Sequence, residues 1–240
     1  EKKRMPNLLI LLAYDLGYGE LGCQGNKQIP TPHIDGIAKR GTRFTQGYVT
    51  APNCSPSRAG LITGKYGTRF GHEFNPTGAK NEQPGFGLPL SQKTLADSLS
   101  MAGYVNGIIG KWHLGHHRPF LPTRHGFDEY FGLPYSNDMW PYHPSAKPGT
   151  YPPLPLFENE EVIDKEVNPE DQMTLTKRYA QRAVDFLNRA GTAKDGRPFF
   201  LYLALPSPHT PVLPTPKFKG KSGLNSAYAD FVTMTDDTVK

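Results

Sequence analysis

The sequence predicts an α/β fold, a mostly parallel central sheet flanked by helices, and three observations carry the prediction. Unbroken apolar runs at residues 7–13 and 198–205 show no polar alternation, the pattern of strands buried on both faces. Segments with helical periodicity and end signals lie between them, so strand and helix alternate along the chain. Glycine and proline punctuate the joints, and no internal repeat or low-complexity tract interrupts the pattern. At 240 residues the chain is long enough for one large core or a domain and a half.

Taken in order, Glu1-Lys2-Lys3-Arg4 and the apolar residues after it mimic the start of a signal peptide. The run is short, however, and leads straight into Tyr14-Asp15-Leu16-Gly17, so it reads as the first strand. Residues 31–41 carry a full set of helix signals: Thr31 as cap, Pro32 in the first turn, Ile34, Ile37 and Ala38 on one face, Lys39 and Arg40 in the last turn, Gly41 as stop. A second helix starts with Ser55 as cap and Pro56 as its first residue and stops at Gly64, which sets Cys54 at a helix N-terminus. Ser91 caps a third, with Leu95 and Leu99 inward and Gly103 after it, followed by a strand at 104–109 that opens into Gly110-Lys111-Trp112-His113-Leu114-Gly115. Residues 127–170, rich in Pro, Tyr and Asn, read as loops over a site. Leu175, Tyr179, Ala183 and Phe186 mark an amphipathic helix stopped by Gly191. The apolar run 198–205 is the third buried strand, and Tyr228, Phe231, Val232, Thr235 and Val239 pattern a last helix without a stop.

In parallel sheets ligands bind beyond the carboxyl ends of the strands. Asp15, Lys111, His113 and His209 each follow a predicted strand, so they are expected to meet at one edge of the sheet.

Charge and composition narrow the function classes. The net charge is +5 from 27 basic and 22 acidic residues, and the basic residues are scattered, which argues against a nucleic-acid surface. The excess suits an anionic substrate and equally an ordinary solvated surface. No apolar run approaches membrane-spanning length. Cys23 and Cys54 are the only cysteines, and a chain of this size does not need a disulfide to hold its core.

Individual residues leave alternatives open. Cys54, at a helix N-terminus and one turn from Arg58, suits a nucleophile or an anion site, and also an inert structural cysteine. Asp15 offers oxygen to a hard cation or caps a helix. Lys111 and His113, two apart in a strand-like segment, share a face and can address one anion, or be a solvated lysine and a packed histidine. His209, among prolines, has the titration of a general acid or is a loop histidine bonded to backbone. His116 and His117 lack partners at zinc spacing and read as surface residues.

Cys54-Ser55-Pro56-Ser57-Arg58 with Leu61, Thr63 and Gly64 resembles the signature of the type I sulfatases of the arylsulfatase A and N-acetylgalactosamine-6-sulfatase type. Residues 110–115 resemble the family's second signature, and the similarity runs from Asn7 to the end of the chain. The resemblance implies the alkaline phosphatase-like sulfatase fold, with this chain as the N-terminal part of the catalytic domain and the C-terminal part missing. It implies a sulfuric ester hydrolase acting on a sulfated aryl alcohol or carbohydrate, exported to a periplasmic, extracellular or lysosome-like setting. A formylglycine-generating enzyme would oxidise Cys54 to formylglycine, which would remove it from any pairing with Cys23. By the same resemblance Asp15 and residue 54 hold a divalent metal, Ca2+ or Mg2+. Arg58 steadies the formylglycine, Lys111 binds sulfate oxygens, His113 bonds the hydrated aldehyde, His209 protonates the leaving alcohol, and Ser136 touches substrate. The chain departs from the pattern at Tyr14, where the family carries the first of two adjacent aspartates, and its residues do not include the family's later Asp-Asn metal pair. Two other readings stay open: a formylglycine-dependent phosphate or phosphonate ester hydrolase, and an inactive homologue that binds sulfated sugar.

Overall fold

The strand Phe199–Pro208 is the axis of the molecule, and all ten of its residues are buried. In the computed structural model, which describes residues 5–240, it is the last of six strands in one sheet. They are β1 (Leu8–Tyr14), β2 (Val105–Gly110), β3 (Glu129–Gly132), β4 (Leu156–Glu158), β5 (Glu161–Asp164) and β6 (Phe199–Pro208), in spatial order β1-β6-β2-β3-β4-β5. The first four in that order run parallel, and β4 and β5 extend the sheet antiparallel. The mostly parallel α/β prediction therefore holds.

Strand alternation assigns the two faces of β6. Leu201, Leu203 and Leu205 join Ile109, Phe131 and Leu133 under the long helix α4 (Pro169–Gly191), which contributes Leu175, Tyr179, Ala183 and Phe186. Phe200, Tyr202 and Ala204 join Ile108 and Tyr130 on the other face, beneath α2 (Cys54–Thr63) and α3 (Leu95–Met101). Helices thus cover both faces, the condition under which a parallel sheet is stable. A smaller cluster of Ile29, Ala229 and Val232 ties the loop before α1 (Pro32–Arg40) to α5 (Ala227–Asp237).

Several sequence expectations need correction. Among the described residues β1 pairs only with β6, and it is half-buried, with Leu9 46% exposed. Its apolar run signals packing on two faces and carries no information about how many strands pair with it. Residues 127–170 are not only loops, since β3, β4 and β5 lie among them. These strands are three or four residues long, too short for a periodic signal. The β4–β5 turn needs Asn159 at φ 55°, a left-handed conformation that asparagine tolerates. α3 is capped by Thr94, not Ser91: Thr94 and Asp97 form a reciprocal capping box, with the Thr94 hydroxyl also donating to the His125 carbonyl. α5 stops at Asp237.

Close backbone approach at the ends of β2 and β3 builds the floor of the site. Gly110 has φ 112°, and a Cβ there would fall 1.9 Å from the Ala204 carbonyl oxygen; one on Gly132 would fall 1.8 Å from the Gly110 oxygen. Both obstacles are backbone and cannot rotate away. Gly132→Ala is expected to destabilise the fold by about 1–3 kcal/mol or more, read as a lowered urea midpoint with an unchanged m-value.

Candidate functional site

Cys54 stands at the helix N-terminus, as expected, but as the first residue of α2 instead of ahead of its cap, and the cap is Asn53 in place of Ser55. Ser55 and Pro56 lie inside the first turn and are buried. The Ser55 hydroxyl bonds the His113 carbonyl at 2.6 Å and His72 Nε2 at 2.7 Å, so it ties α2 to the segment after β2 in place of capping the helix. The Ser55 N–H donates to Asn75 Oδ1. Gly60 lets the helix lie against Thr50, where a Cβ would meet the hydroxyl at 2.0 Å, and Gly64 ends the helix in the left-handed conformation.

Beyond Gly110 the chain continues as a short extension of the sheet, with Lys111 N–H donating to the Ala204 carbonyl, Trp112 to Leu133 and His113 to Pro134. Trp112 turns into the core and donates its indole N–H to the Phe120 carbonyl. Lys111 and His113 are completely buried, and neither the Lys111 ammonium nor either His113 ring nitrogen has a hydrogen-bond partner. Arg58, also buried, donates to the Lys111 carbonyl at 2.7 Å and points its guanidinium at the same region. Burial, and then the neighbouring guanidinium, hold the Lys111 amine well below its ordinary range. Burial first and Lys111 second do the same for His113.

A register shift near the end of β1 pairs Tyr14 with Pro208 and brings its side chain into the middle of these groups. The phenol oxygen lies 2.6 Å from Cys54 Sγ and 3.1 Å from Ser136 Oγ. The Lys111 ammonium sits 3.5 Å from the ring centroid, and the His209 imidazole stacks on the ring at 3.9 Å with a 3° interplanar angle. His209 Nδ1–H donates to the Thr210 carbonyl and the ring turns Nε2 toward Asp15, 3.6 Å away. Asp15 is itself strained at φ 55°, and its side chain is 62% exposed.

The structure therefore gathers Asp15, Cys54, Arg58, Lys111, Ser136 and His209 around one tyrosine, with His113 close behind Lys111. Two residues carried no clear functional signal in the sequence. Asp138, in the turn-rich stretch after β3, has a buried carboxylate oxygen without a partner and raises the affinity of His209 for its proton against the opposing effect of burial. Tyr14 registered only as a missing aspartate. His116 and His117 are half-buried and stacked on each other, not plain surface residues; burial and then His117 lower His116 to about 4. Cys23 and Cys54 are both free. A cavity of about 430 Å³ opens beside the centre, lined by Tyr14, Asp15, Tyr48, Cys54, Ser57 and Arg58 among others, a volume that accommodates a sugar-sized ligand.

The donor set for a divalent metal is incomplete. Among the described residues no three His, Cys, Asp or Glu side chains stand close enough to hold an ion. The Tyr14 phenol oxygen lies against Cys54 Sγ, where an ion bound to residue 54 would have to sit. These residues do not fit Ca2+ or Mg2+ as they stand.

The model of the sulfatase family matches residues 6–240. The chain belongs to the sulfatase family. It is 41% identical over 237 residues to arylsulfatase G of Rattus norvegicus, covering 88% of this chain and 42% of that protein. It is 38% identical over 244 residues to N-acetylgalactosamine-6-sulfatase of Mus musculus, covering 98% and 45%. It thus spans less than half the length of these curated relatives. Among solved structures it resembles Ps i-CgsB in complex with k-i-k-neocarrahexaose, with a TM-score of 0.81 at 32% identity over 98% of this chain and 53% of that one. It also resembles the PsFucS1 sulfatase from Pseudoalteromonas sp., with a TM-score of 0.80 at 28% identity over 98% and 50%. The fold class and the family resemblance read from the motifs both hold.

Two predictions follow from the burial of charge in this sulfatase centre. Desolvating an unpaired ammonium costs several kcal/mol, and the contact with the Tyr14 ring returns about 2 kcal/mol. Lys111→Met, similar in volume, is therefore expected to raise the melting temperature and to lower affinity for anions. Burial also holds His72, His113, His116 and His125 below the ordinary 6.5, so below that pH the unfolded chain binds more protons than the folded one. Their contribution is complete above about pH 6.5 and is lost as pH falls toward about 4. Urea unfolding across that window should show stability rising with pH.

Proposed function

We propose that this chain is the N-terminal part of the catalytic domain of a sulfatase that hydrolyses a sulfate monoester, with Cys54 converted to formylglycine as the nucleophile. One observation supports this above the rest: residue 54 starts α2 inside the intact Cys-x-Pro-x-Arg motif, and two buried cations, Arg58 and Lys111, converge beside it. Helix N–H groups and these cations favour an anion at that point. The solved relatives direct the substrate toward carbohydrate. One is bound to a neocarrahexaose, and another, 25% identical with a TM-score of 0.65, is in complex with its substrate D-glucosamine-2-N,6-O-disulfate.

In this reading the hydrated aldehyde at position 54 presents two hydroxyls. One attacks sulfur and loses its proton to water in the cavity. The bond from sulfur to the alcohol oxygen breaks, and His209 Nε2 protonates the departing alkoxide. The second hydroxyl then gives its proton back to the now unprotonated His209 Nε2, the C=O bond re-forms as the carbon–oxygen bond to the sulfate breaks, and sulfate leaves. Lys111 and Arg58 offset charge on the transferring group. His113 bonds the hydrate, and Ser136 and Asp15 line the centre. A second reading, an inactive homologue that binds sulfated carbohydrate, is favoured by one observation, the Tyr14 phenol lying directly on Cys54.

Co-expression with a formylglycine-generating enzyme should convert the Cys54 thiol to an aldehyde, detected by the mass of its peptide and by capture with a hydroxylamine probe. The full-length protein should then hydrolyse 4-nitrophenyl sulfate in preference to 4-nitrophenyl phosphate, and Cys54→Ala should abolish turnover. An aldehyde at position 54 without turnover would decide for the binding homologue, and preference for the phosphate would decide for a phosphate ester hydrolase.

A further inference from the structure

The geometry around Tyr14 points to a centre that works without a divalent cation: we propose that Tyr14, clamped between Lys111 and His209, holds the volume a metal would need and takes over the hydrogen bond to residue 54. The proposal rests on the same centre as the hydrolase reading, but not on its turnover.

Three observations carry it. The first is occupancy. A parallel imidazole 3.9 Å from the Tyr14 centroid and an ammonium 3.5 Å from it can lie only on opposite faces of the ring. The ring is therefore sandwiched, while its hydroxyl is fixed at the other end by Cys54 Sγ at 2.6 Å and Ser136 Oγ at 3.1 Å. A calcium ion takes 6–8 oxygens at about 2.3–2.6 Å. An ion touching both Asp15 and residue 54 would displace this phenol or have to be ligated by it.

The second is charge. The Lys111 ammonium is completely buried and has no hydrogen-bonding partner, and the buried Arg58 guanidinium lies 5.3 Å from the same ring. Two cations thus already stand close to this position. The electron-rich face of a tyrosine satisfies an ammonium where no carboxylate does, whereas a divalent ion in its place would repel both.

The third is how the carboxylates at hand are engaged. Asp15 is exposed and turned toward His209, and Asp138 acts on Tyr14, Lys111 and His209, so both face this cluster of side chains. Tyr14 therefore does more than subtract one ligand. It replaces the ion's two local effects, supplying a polar contact to residue 54 through its hydroxyl and a seat for Lys111 through its ring.

Calorimetric titration of the full-length protein, after chelation, with calcium and then magnesium reads the proposal without requiring turnover. No saturable heat, and a melting temperature indifferent to millimolar calcium, are expected. Tyr14→Asp, which opens the volume and adds a carboxylate, should acquire a calcium-dependent rise in melting temperature. Tyr14→Phe keeps the ring and removes the hydroxyl, so it should remain indifferent to calcium while the unmodified Cys54 thiol alkylates several-fold faster with iodoacetamide. Stoichiometric calcium binding by the wild-type protein would overturn the proposal, as would an unchanged alkylation rate in Tyr14→Phe. Calcium binding together with sulfate-ester hydrolysis would overturn this inference and leave the hydrolase reading standing. Hydrolysis failing while calcium is ignored would do the reverse.

Discussion

The double burial of β6 is the constraint from which the rest of the molecule follows. A strand with ten consecutive buried residues has side chains to cover on both faces and backbone groups to pair on both edges. β1 and β2 meet the second demand, and α4 on one side with α2 and α3 on the other meet the first. Because β1, β2, β3 and β6 all run in the same direction, their carboxyl ends fall on one rim of the sheet. Tyr14, Asp15, Lys111, His113 and His209 reach a common centre for that reason. The face that carries α2 also fixes where Cys54 enters, since the Arg58 side chain is anchored on the Lys111 carbonyl and Ser55 on that of His113.

The centre opposes the stability of the fold that builds it. Arg58, Lys111 and His113 are buried, and the polar side-chain atoms of Lys111 and His113 are unpaired. Asp15 and His113 both adopt positive φ without being glycine. Each of these features costs free energy that an apolar or glycine replacement would recover, and their concentration at one rim, beside a cavity, is the physical signature of a functional site. Elsewhere the molecule follows ordinary rules: the ion pairs Arg189–Glu129 and Arg118–Glu160 lie on the surface, where such pairs contribute little, and the aliphatic core is continuous on both sides of the sheet.

Membership of the sulfatase family and an unusual centre are compatible. The family match extends over nearly the whole chain, and the fold agrees with that of the solved PsFucS1 sulfatase across 98% of it. At position 14, where the sequence resemblance implies an aspartate, stands Tyr14, and its effect is large because four elements converge at that point. An aspartate there would face Lys111 and Cys54 as a charge. A tyrosine faces them as a ring and a hydroxyl, with different geometry and no net charge.

The sequence by itself determined the alternation of strand and helix, the buried run of β6, the amphipathic face of α4, and the placement of Cys54 at a helix start. All of these are encoded within a few residues by periodicity, capping and glycine stops. It also determined that Asp15, Lys111, His113 and His209 follow strands, which sufficed to predict their meeting. Tertiary structure decided the rest. The contacts of Tyr14 with Cys54 and Ser136 span 40 and 122 residues of sequence, beyond the reach of local pattern. The three strands between residues 129 and 164 exist because an edge was available for them to pair with, not because their own three or four residues demand it. The same holds for Ser55, which reads locally as a cap and is used as a tether, because the His113 carbonyl and the His72 ring reach its hydroxyl only once α2 has packed on the sheet.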